Sequence, residues 1–555
     1  MKSKILFGCM LATSLLSTSC SDFLTEDPKG KLTPDNFFDS QQALDAGVYA
    51  LYTNVNGSHI FTNMLYPQWQ GDDITANPGS NKQACAEMDG FSASSNNKGV
   101  KDAWSRNYAI VKAANLLINT TADTPTTDEE KNIALGQAHF WRAYAYYYLV
   151  RIFGPLPLIT TADLSEAQAE LAPVEKVYEQ IVEDLTAALS LPTSYESAPR
   201  HHDGVDAYVT KQAVQATLTA VYMSMAGYPL NKGAEYYGKA ADMANEVISK
   251  NGEYGFYLDN EWKNVYSIGH NYNKETILGL DFSSNVDWAT DSEFTSCNLF
   301  ESLGSGGWGD GWGEIKFWKN FPEGPRKDAV YSPKIPFEQN GEITKLVDWW
   351  AMKDGKPEVS EYHPMFSVFT TNCVPGNRNV EAKQPYDYTQ PVYQGMCNGH
   401  RHRLIRYSEL LLWYAESVAR SGKGDLGKAK EYLKQVRQRA VNDELVDKVT
   451  LSDGTTVAID AMTAEQLAEA CYIEHGWEVA GYWVAMVTRR SDEFRMNELK
   501  KNFDYRVANN EIEVAPGVKA KESVSVVKST WANDNSIYLP YPDTEVEKNP
   551  NLNRN

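Results

Sequence analysis

Four groups of residues in this 555-residue chain have types and spacings suited to chemistry, and three of them fail on context. Gly304-Ser305-Gly306-Gly307-Trp308-Gly309 reads as G-x-G-x-x-G, but a dinucleotide loop needs that string between a buried strand and a helix N-terminus. Here Asp310-Gly311-Trp312-Gly313 follows, which cannot open a helix. His201-His202 and His400-Arg401-His402 lack the i, i+4 spacing and the Glu of a zinc hydrolase. They read as solvated loop histidines, and neither a metal nor a cofactor is expected. Acidic pairs such as Asp72 and Asp73, or Glu474 and Glu478, offer the two carboxylates that glycoside hydrolysis requires. With 73 Asp and Glu, such pairs arise by chance. Glu474 and Glu478 lie one helical turn apart near Arg489 and Arg490, which reads as a structural ion pair. No Gly-x-Ser-x-Gly nucleophile elbow occurs. The fourth group is aromatic residues interleaved with short polar ones on non-helical segments. Tyr66-Pro67-Gln68-Trp69-Gln70-Gly71-Asp72-Asp73 is one such stretch; Asn285, Asp287, Trp288, Trp308, Asp310 and Trp312 form another. Gly on both sides of Trp308 and Trp312 leaves each indole accessible, and an exposed indole without a ligand is unfavourable. The alternative is that either ring folds back onto the scaffold. Trp349-Trp350 is a third, weaker stretch.

Composition supports recognition over catalysis. At 42% hydrophobic and 23% charged, the chain is globular, and its net charge of −21 argues against a nucleic-acid partner. The 14 Trp, 32 Tyr and 19 Phe exceed what a core requires, so some should serve recognition on the surface.

The elements that must carry these loops are helical. Thr33-Pro34 reads as a helix start, and Ser40 to Tyr52 and Trp104 to Ile118 are amphipathic. Thr127 to Glu130 is a capping box opening a long helix that ends at Gly154-Pro155. Val177 to Leu189, Thr210 to Ala226 and Glu235 to Ile248 continue the series. After Gly255 come short apolar runs such as Thr276 to Phe282 and Gly/Trp-rich loops. Helices return at Arg406 to Arg420, Leu426 to Ala440 and Thr463 to Val487. Ala240, Ala244, Val247 and Ala429, Leu433, Val436 share the small-x3-apolar-x2-apolar spacing of a tetratricopeptide second helix. The fold class expected is therefore mainly α: degenerate tetratricopeptide-like helical hairpins in one large domain. In it, residues 33–254 and 401–500 form the scaffold, 255–400 a loop-rich insertion and 501–555 a C-terminal segment. Within the helices Trp104, Trp141, Tyr144, Tyr147, Trp413 and Trp477 fit the core period and read as packing residues.

The N-terminus reads as an address. Met1 to Lys4 is basic, Ile5 to Leu16 apolar, and Ser17-Thr18-Ser19 precedes Cys20, the signature of a lipoprotein signal peptide over residues 1–19 with lipid on Cys20. An ordinary cleaved signal or an N-terminal anchor is the alternative. A polar tether, residues 20–32, would follow. Removing residues 1–19 takes away Lys2 and Lys4 and no acidic residue, moving the net charge from −21 to −23. Cys85, Cys297, Cys373, Cys397 and Cys471 then remain, neither a zinc pattern nor a disulfide framework; a Cys373–Cys397 bridge is compatible with an oxidising compartment.

Several blocks in order resemble the SusD/RagB family of surface glycan-binding lipoproteins. They are Cys20-Ser21-Asp22-Phe23-Leu24 with Pro28; Ala138 to Pro157 with Arg142-Ala143-Tyr144; Thr210-Lys211 through Ala216 with Tyr222 and Ala226-Gly227; Arg406-Tyr407-Ser408-Glu409-Leu410 through Glu416 with Leu433 and Val436-Arg437; Tyr538-Leu539-Pro540; and Asn549-Pro550-Asn551-Leu552. The stretch Glu474 to Arg490 departs from the family pattern at Tyr482-Trp483-Val484-Ala485. The resemblance implies non-catalytic capture of an oligo- or polysaccharide at the outer-membrane surface and its delivery to a SusC-like TonB-dependent transporter, the helical part contacting that partner. Capture of peptides and glycan hydrolysis are the alternatives. Sugar rings stack C–H faces on aromatic rings and hydrogen-bond through their hydroxyls. The expected ligand-binding residues are accordingly Trp69, Asp72, Asp73, Trp288, Trp308, Asp310 and Trp312.

Overall fold

The computed structural model describes residues 37–60, 62–162, 169–266, 268–282, 309–331, 334–339, 342–359, 362–366, 399–523, 526 and 537–553. The helices that frame the site and the scaffold, in chain order, are α1 (Gln41–Ile60), α2 (Lys98–Thr120), α3 (Asp128–Phe153), α4 (Val174–Ala188), α5 (Lys211–Ala226) and α6 (Ala234–Ile248). They continue as α7 (Ile315–Asn320), α8 (Tyr407–Ser421), α9 (Leu426–Gln438), α10 (Ala464–Glu478), α11 (Arg489–Arg495) and α12 (Leu499–Ala508).

Local chemistry sets the ends of these helices. Thr127 caps α3 by accepting from the Glu130 N–H, and Asp128, Glu129 and Glu130 place negative charge on its positive end. Gly154, at φ 73°, ends it in a conformation that costs glycine little. Thr463 and Gln466 form the expected capping box on α10.

The helices pack as consecutive hairpins: α2 on α3, α3 on α4, and α5 on α6, while α8 packs on α6, α9 and α10. The small-residue spacing does what it predicts. Ala240, Ala244 and Val247 on α6, and Ala429, Leu433 and Val436 on α9, are all fully buried and let these helices approach their neighbours closely. Phe140, Trp141, Tyr144, Tyr147 and Phe153 make α3 a central core element.

Three strand pairs matter for the site. β1 (Ile74–Ala76) pairs antiparallel with β3 (Gly311–Gly313), β2 (Thr276–Leu280) with β4 (His402–Arg406), and β5 (Glu511–Ala515) with β6 (Val518–Lys521). The β2–β4 pair ties together the two ends of the inserted segment. A satellite core of Trp312, Ile315, Val347, Trp349, Val359, Met365, Val514 and Ala520 then packs this segment on the C-terminal hairpin, apart from the main helical core.

Three expectations are corrected. The helix expected to run from Thr463 to Val487 stops at Glu478. Gly481 sits at φ 67° with the Phe366 ring where a Cβ would lie, and Tyr482 to Val487 continue as buried non-helical chain. His400-Arg401-His402 is fully buried, not a solvated loop, because β4 lies between the helices and the insertion; His402 packs against Phe282 and His59. Glu474 and Glu478 are indeed in ion pairs, but with Arg326, Arg406, Arg437 and Arg439. Arg326 comes from the insertion, so this buried network fastens the insertion to the helical block. Glu478 is desolvated, yet Arg406, Arg439 and Arg326 hold its carboxyl far below the usual range.

Candidate functional site

The two polar-aromatic stretches singled out in the sequence meet in space. Pairing of β1 with β3 sets Thr75 opposite Trp312 and Ala76 opposite Gly311, and Asn77 N–H donates to the Asp310 carbonyl at 2.8 Å. The aromatic members, however, face inward. Trp69 is fully buried, 5.1 Å from Trp483 and packed on Tyr66. Trp312 is 6% exposed and stacks on His363 at 4.8 Å. Neither presents a face for a sugar. The glycines beside Trp312 serve close packing rather than access: a Cβ on Gly313 would lie 2.6 Å from the Tyr331 ring and 3.1 Å from Pro364.

The acidic members divide as well. Asp310 is buried and ion-paired with Lys82. Asp73 is buried and accepts the Gly481 N–H at 2.8 Å; burial pushes its carboxyl up to about 6. Asp72 alone reaches solvent in a cleft. Trp288, Trp308 and Cys20, the start at Thr33-Pro34 and the Cys373–Cys397 pair lie outside the described residues. Cys85 and Cys471 are buried free thiols.

The cleft beside Asp72 has a volume of about 290 Å³. Its walls come from the α10 end (Ile473, Trp477), the first residue of α11 (Arg489), α12 (Lys501, Asn502, Tyr505, Arg506), α7 (Lys316, Phe317, Asn320) and Ser452. Arg489 holds Asp72 in a fork, Nε to Oδ1 at 2.7 Å and Nη2 to Oδ2 at 3.1 Å. Asn502 Nδ2 adds a bond to Asp72 Oδ2 at 3.2 Å. Burial raises the Asp72 carboxyl, but the Arg489 charge outweighs it and leaves the group ionised below its usual range. The Glu493 carboxyl is a further hydrogen-bond partner, so these contacts together fix the Asp72 carboxylate at the cleft edge.

Aromatic surface also lines the cleft. Tyr505 is 43% exposed, with the Lys316 ammonium 2.9 Å from its ring centroid. Trp477 is half-buried, resting on Phe317 at 4.4 Å and Phe321 at 5.0 Å. The cleft thus joins two partly exposed rings to a fixed carboxylate, an amide and two ammonium groups. Ring faces stack on C–H surfaces and the polar groups fix orientation. Glu314, the other carboxyl on the cleft, is buried and caps α7 through the Phe317 N–H; burial and the neighbouring Glu522 carboxyl push it well above its usual range.

Sequence reasoning placed Trp477 in the core on its helical period and passed over Tyr505, Asn502 and the Arg489–Asp72 fork. Those residues become neighbours only through contacts that span hundreds of positions. Among the described residues, no group of three or more His, Cys, Asp or Glu is placed to hold a metal ion.

Comparison with known proteins bears on the family and the fold. Residues 22–223 match a family model described as starch-binding, associating with the outer membrane, and residues 274–555 match the SusD family model. A SusD-like protein of Bacteroides ovatus is 23% identical over 597 aligned residues, covering 100% of this chain and 97% of the relative. A SusD homolog from Bacteroides thetaiotaomicron has the same fold with a TM-score of 0.73 at 18% identity, covering 94% of this chain and 98% of that one. A laminarin-binding SusD-like protein superposes with a TM-score of 0.66 at 17% identity, covering 92% and 98%.

Proposed function

Because the chain belongs to the SusD family, we propose that it captures an oligo- or polysaccharide at the outer surface of a Gram-negative outer membrane and hands it to a TonB-dependent transporter without cleaving it. The observation that carries this reading is the Asp72 cleft, where Tyr505 and Trp477 offer ring surface beside a carboxylate fixed by Arg489 and Asn502. Its small volume suits a sugar unit or two of a longer chain, and its open side leaves room for the rest.

The non-catalytic part rests on the carboxyl groups. Hydrolysis of a glycosidic bond takes two carboxyl groups flanking the bond. Among the described residues lining the cleft, Asp72 and Glu314 are the only carboxyls, and Glu314 is buried as a helix cap. Attachment through lipid on Cys20 accounts for surface retention, and no helix among the described residues is long and apolar enough to cross a membrane. Delivery to a transporter rests on family membership, with the rigid helical face as the docking side. The net charge argues against a strongly anionic polysaccharide.

The test is titration of the protein with a panel of soluble glycans that includes starch and laminarin, with reducing ends assayed in parallel. Binding without release of reducing ends supports the reading. Release of reducing ends makes it a hydrolase, and binding of peptides but no glycan makes it a peptide-capturing member. Tyr505→Ala and Trp477→Ala should each weaken binding roughly 5- to 150-fold, taking ~1–3 kcal/mol for stacking on an aromatic ring, by analogy with base stacking.

A further inference from the structure

A second cleft lies on the other side of α7. Helical geometry turns each residue by about 100°, so Lys316, Phe317 and Asn320 face the Asp72 cleft while Trp318 and Lys319 face away from it. Trp318 and Lys319, with Tyr331, Asp328, Trp349 and Trp350, line a separate cleft of about 280 Å³. Three indoles converge there. Trp318 lies 5.2 Å from both Trp349 and Trp350, and the latter two are 5.3 Å apart. Trp349 is buried, whereas Trp318 and Trp350 remain half-exposed.

Polar groups ring these faces. Asp328 is exposed at the edge. Lys327 stands 4.6 Å over the Trp318 ring and is held there by Glu323 and the Phe321 carbonyl. Lys319 donates to the Val514 carbonyl at 3.3 Å. Beneath them the Trp349 indole N–H is buried and finds no hydrogen-bond partner among the described residues. A buried tryptophan or tyrosine ordinarily finds one. Paired indole faces, a carboxylate at the edge and an indole N–H left without a protein partner match a ligand with flat C–H faces and equatorial hydroxyls.

We infer that the cleft between Trp318, Trp350, Tyr331 and Asp328 is a second saccharide-binding site, taking a unit of the same polysaccharide that occupies the Asp72 cleft. This rests on the glycan reading of the first cleft. α7 separates the two sites by about one helix diameter, ~10–12 Å with side chains, so one polymer chain spans both within a few units. Two weak sites on one polymer then bind it far better than either alone, by ~10²–10⁴-fold where geometry permits.

The experiment compares polymer with short oligosaccharide. Retardation in gels containing soluble laminarin or starch reports polymer binding, and calorimetry with a two- or three-unit oligosaccharide of the retained polymer reports single sites. Trp350→Ala and Asp328→Asn should each weaken polymer binding about tenfold or more, and calorimetry should count two sites in the parent and one in each variant. Asp328→Asn lies on an exposed side chain and decides the matter if Trp350→Ala melts early. Two outcomes overturn the second site: a parent with one site per chain, or an Asp328→Asn variant that binds polymer and oligosaccharide as the parent does. A parent that binds no glycan of the panel overturns the glycan reading and this site with it.

Discussion

Arg489 closes a fork on Asp72, donating through Nε at 2.7 Å and Nη2 at 3.1 Å to two different carboxylate oxygens across 417 residues of sequence. The pair joins the loop before β1 to the start of α11, and the Arg489 guanidinium also lies 5.0 Å over the Tyr472 ring. A fork fixes the carboxylate plane, which a point charge does not. Arg489→Lys should therefore keep the fold while loosening Asp72, and lower glycan affinity roughly tenfold, the equivalent of one charge-assisted hydrogen bond at ~1.5 kcal/mol. Titration of the variant with the glycan the parent binds checks this; affinity within twofold of the parent removes Asp72 from the site.

The helical frame was legible because its signals are local. Thr127 and Thr463 cap helices from three residues away, Gly154 ends one, and the spacing at Ala240 and Ala429 depends on a single turn. The site was legible only in part. Of the residues expected at the site, Asp72 lines the cleft, and a carboxylate near an aromatic loop is a compositional signal. Trp69 and Trp312 misled because their burial depends on Trp483 and His363, partners no local window contains. Gly313 was read as making room for a ligand, whereas it makes room for Tyr331. Trp477 satisfies the core period of α10 and is half in the core, resting on Phe317 and Phe321, partners that lie more than 150 residues away in sequence.

Anchoring is separable from folding. Lipid on Cys20 is the expectation drawn from the N-terminal sequence, and the long helix α1 begins only at Gln41. Cys20→Ala should leave the melting temperature of the purified protein unchanged and release it from membranes. Membrane fractionation with acyl-chain labelling is the check, and a variant still acylated and membrane-bound would exclude Cys20.

His475 should set an alkaline limit to stability. It is buried, which alone would lower its pKa, but Asp492 at 2.5 Å and Glu409 at 3.5 Å outweigh burial and raise it to about 9. A group whose pKa is higher folded than unfolded gives stability that is complete below the unfolded value, ~6.5, and disappears as pH climbs through the folded one. The loss should total about 3 kcal/mol, at ~1.4 kcal/mol per unit. Asp73, raised to about 6, contributes in a separate window: its loss begins near pH 4 and is complete by about 6. Urea unfolding at pH 6.5, 8 and 9.5 should show the decline in the parent and a much flatter profile in His475→Gln. Equal slopes in the two proteins would assign the decline elsewhere.

Trp312 and Tyr505 offer the sharpest contrast between an aromatic that holds the fold and one that meets a ligand. Trp312 lies in the satellite core with Ile315, Val347 and Trp349, on the strand that pairs with β1. Truncating it removes a buried ring stacked on His363 and leaves a cavity where the insertion meets the C-terminal hairpin. The cost should be about 3–5 kcal/mol, as for a core tryptophan, visible as a lowered melting temperature and a smaller urea midpoint. Tyr505 is exposed on α12 and packs chiefly against the Lys316 ammonium, so its loss should scarcely change melting. Binding reverses the order. Trp312→Ala, measured well below its own melting point, should retain most of its glycan affinity because the ring presents no face to the cleft. Tyr505→Ala should lose affinity while melting normally. If Trp312→Ala instead melts with the parent and binds poorly, the indole is reaching ligand by a movement of the β1–β3 pair, and the stacking surface must then be sought on that strand rather than on α10 and α12.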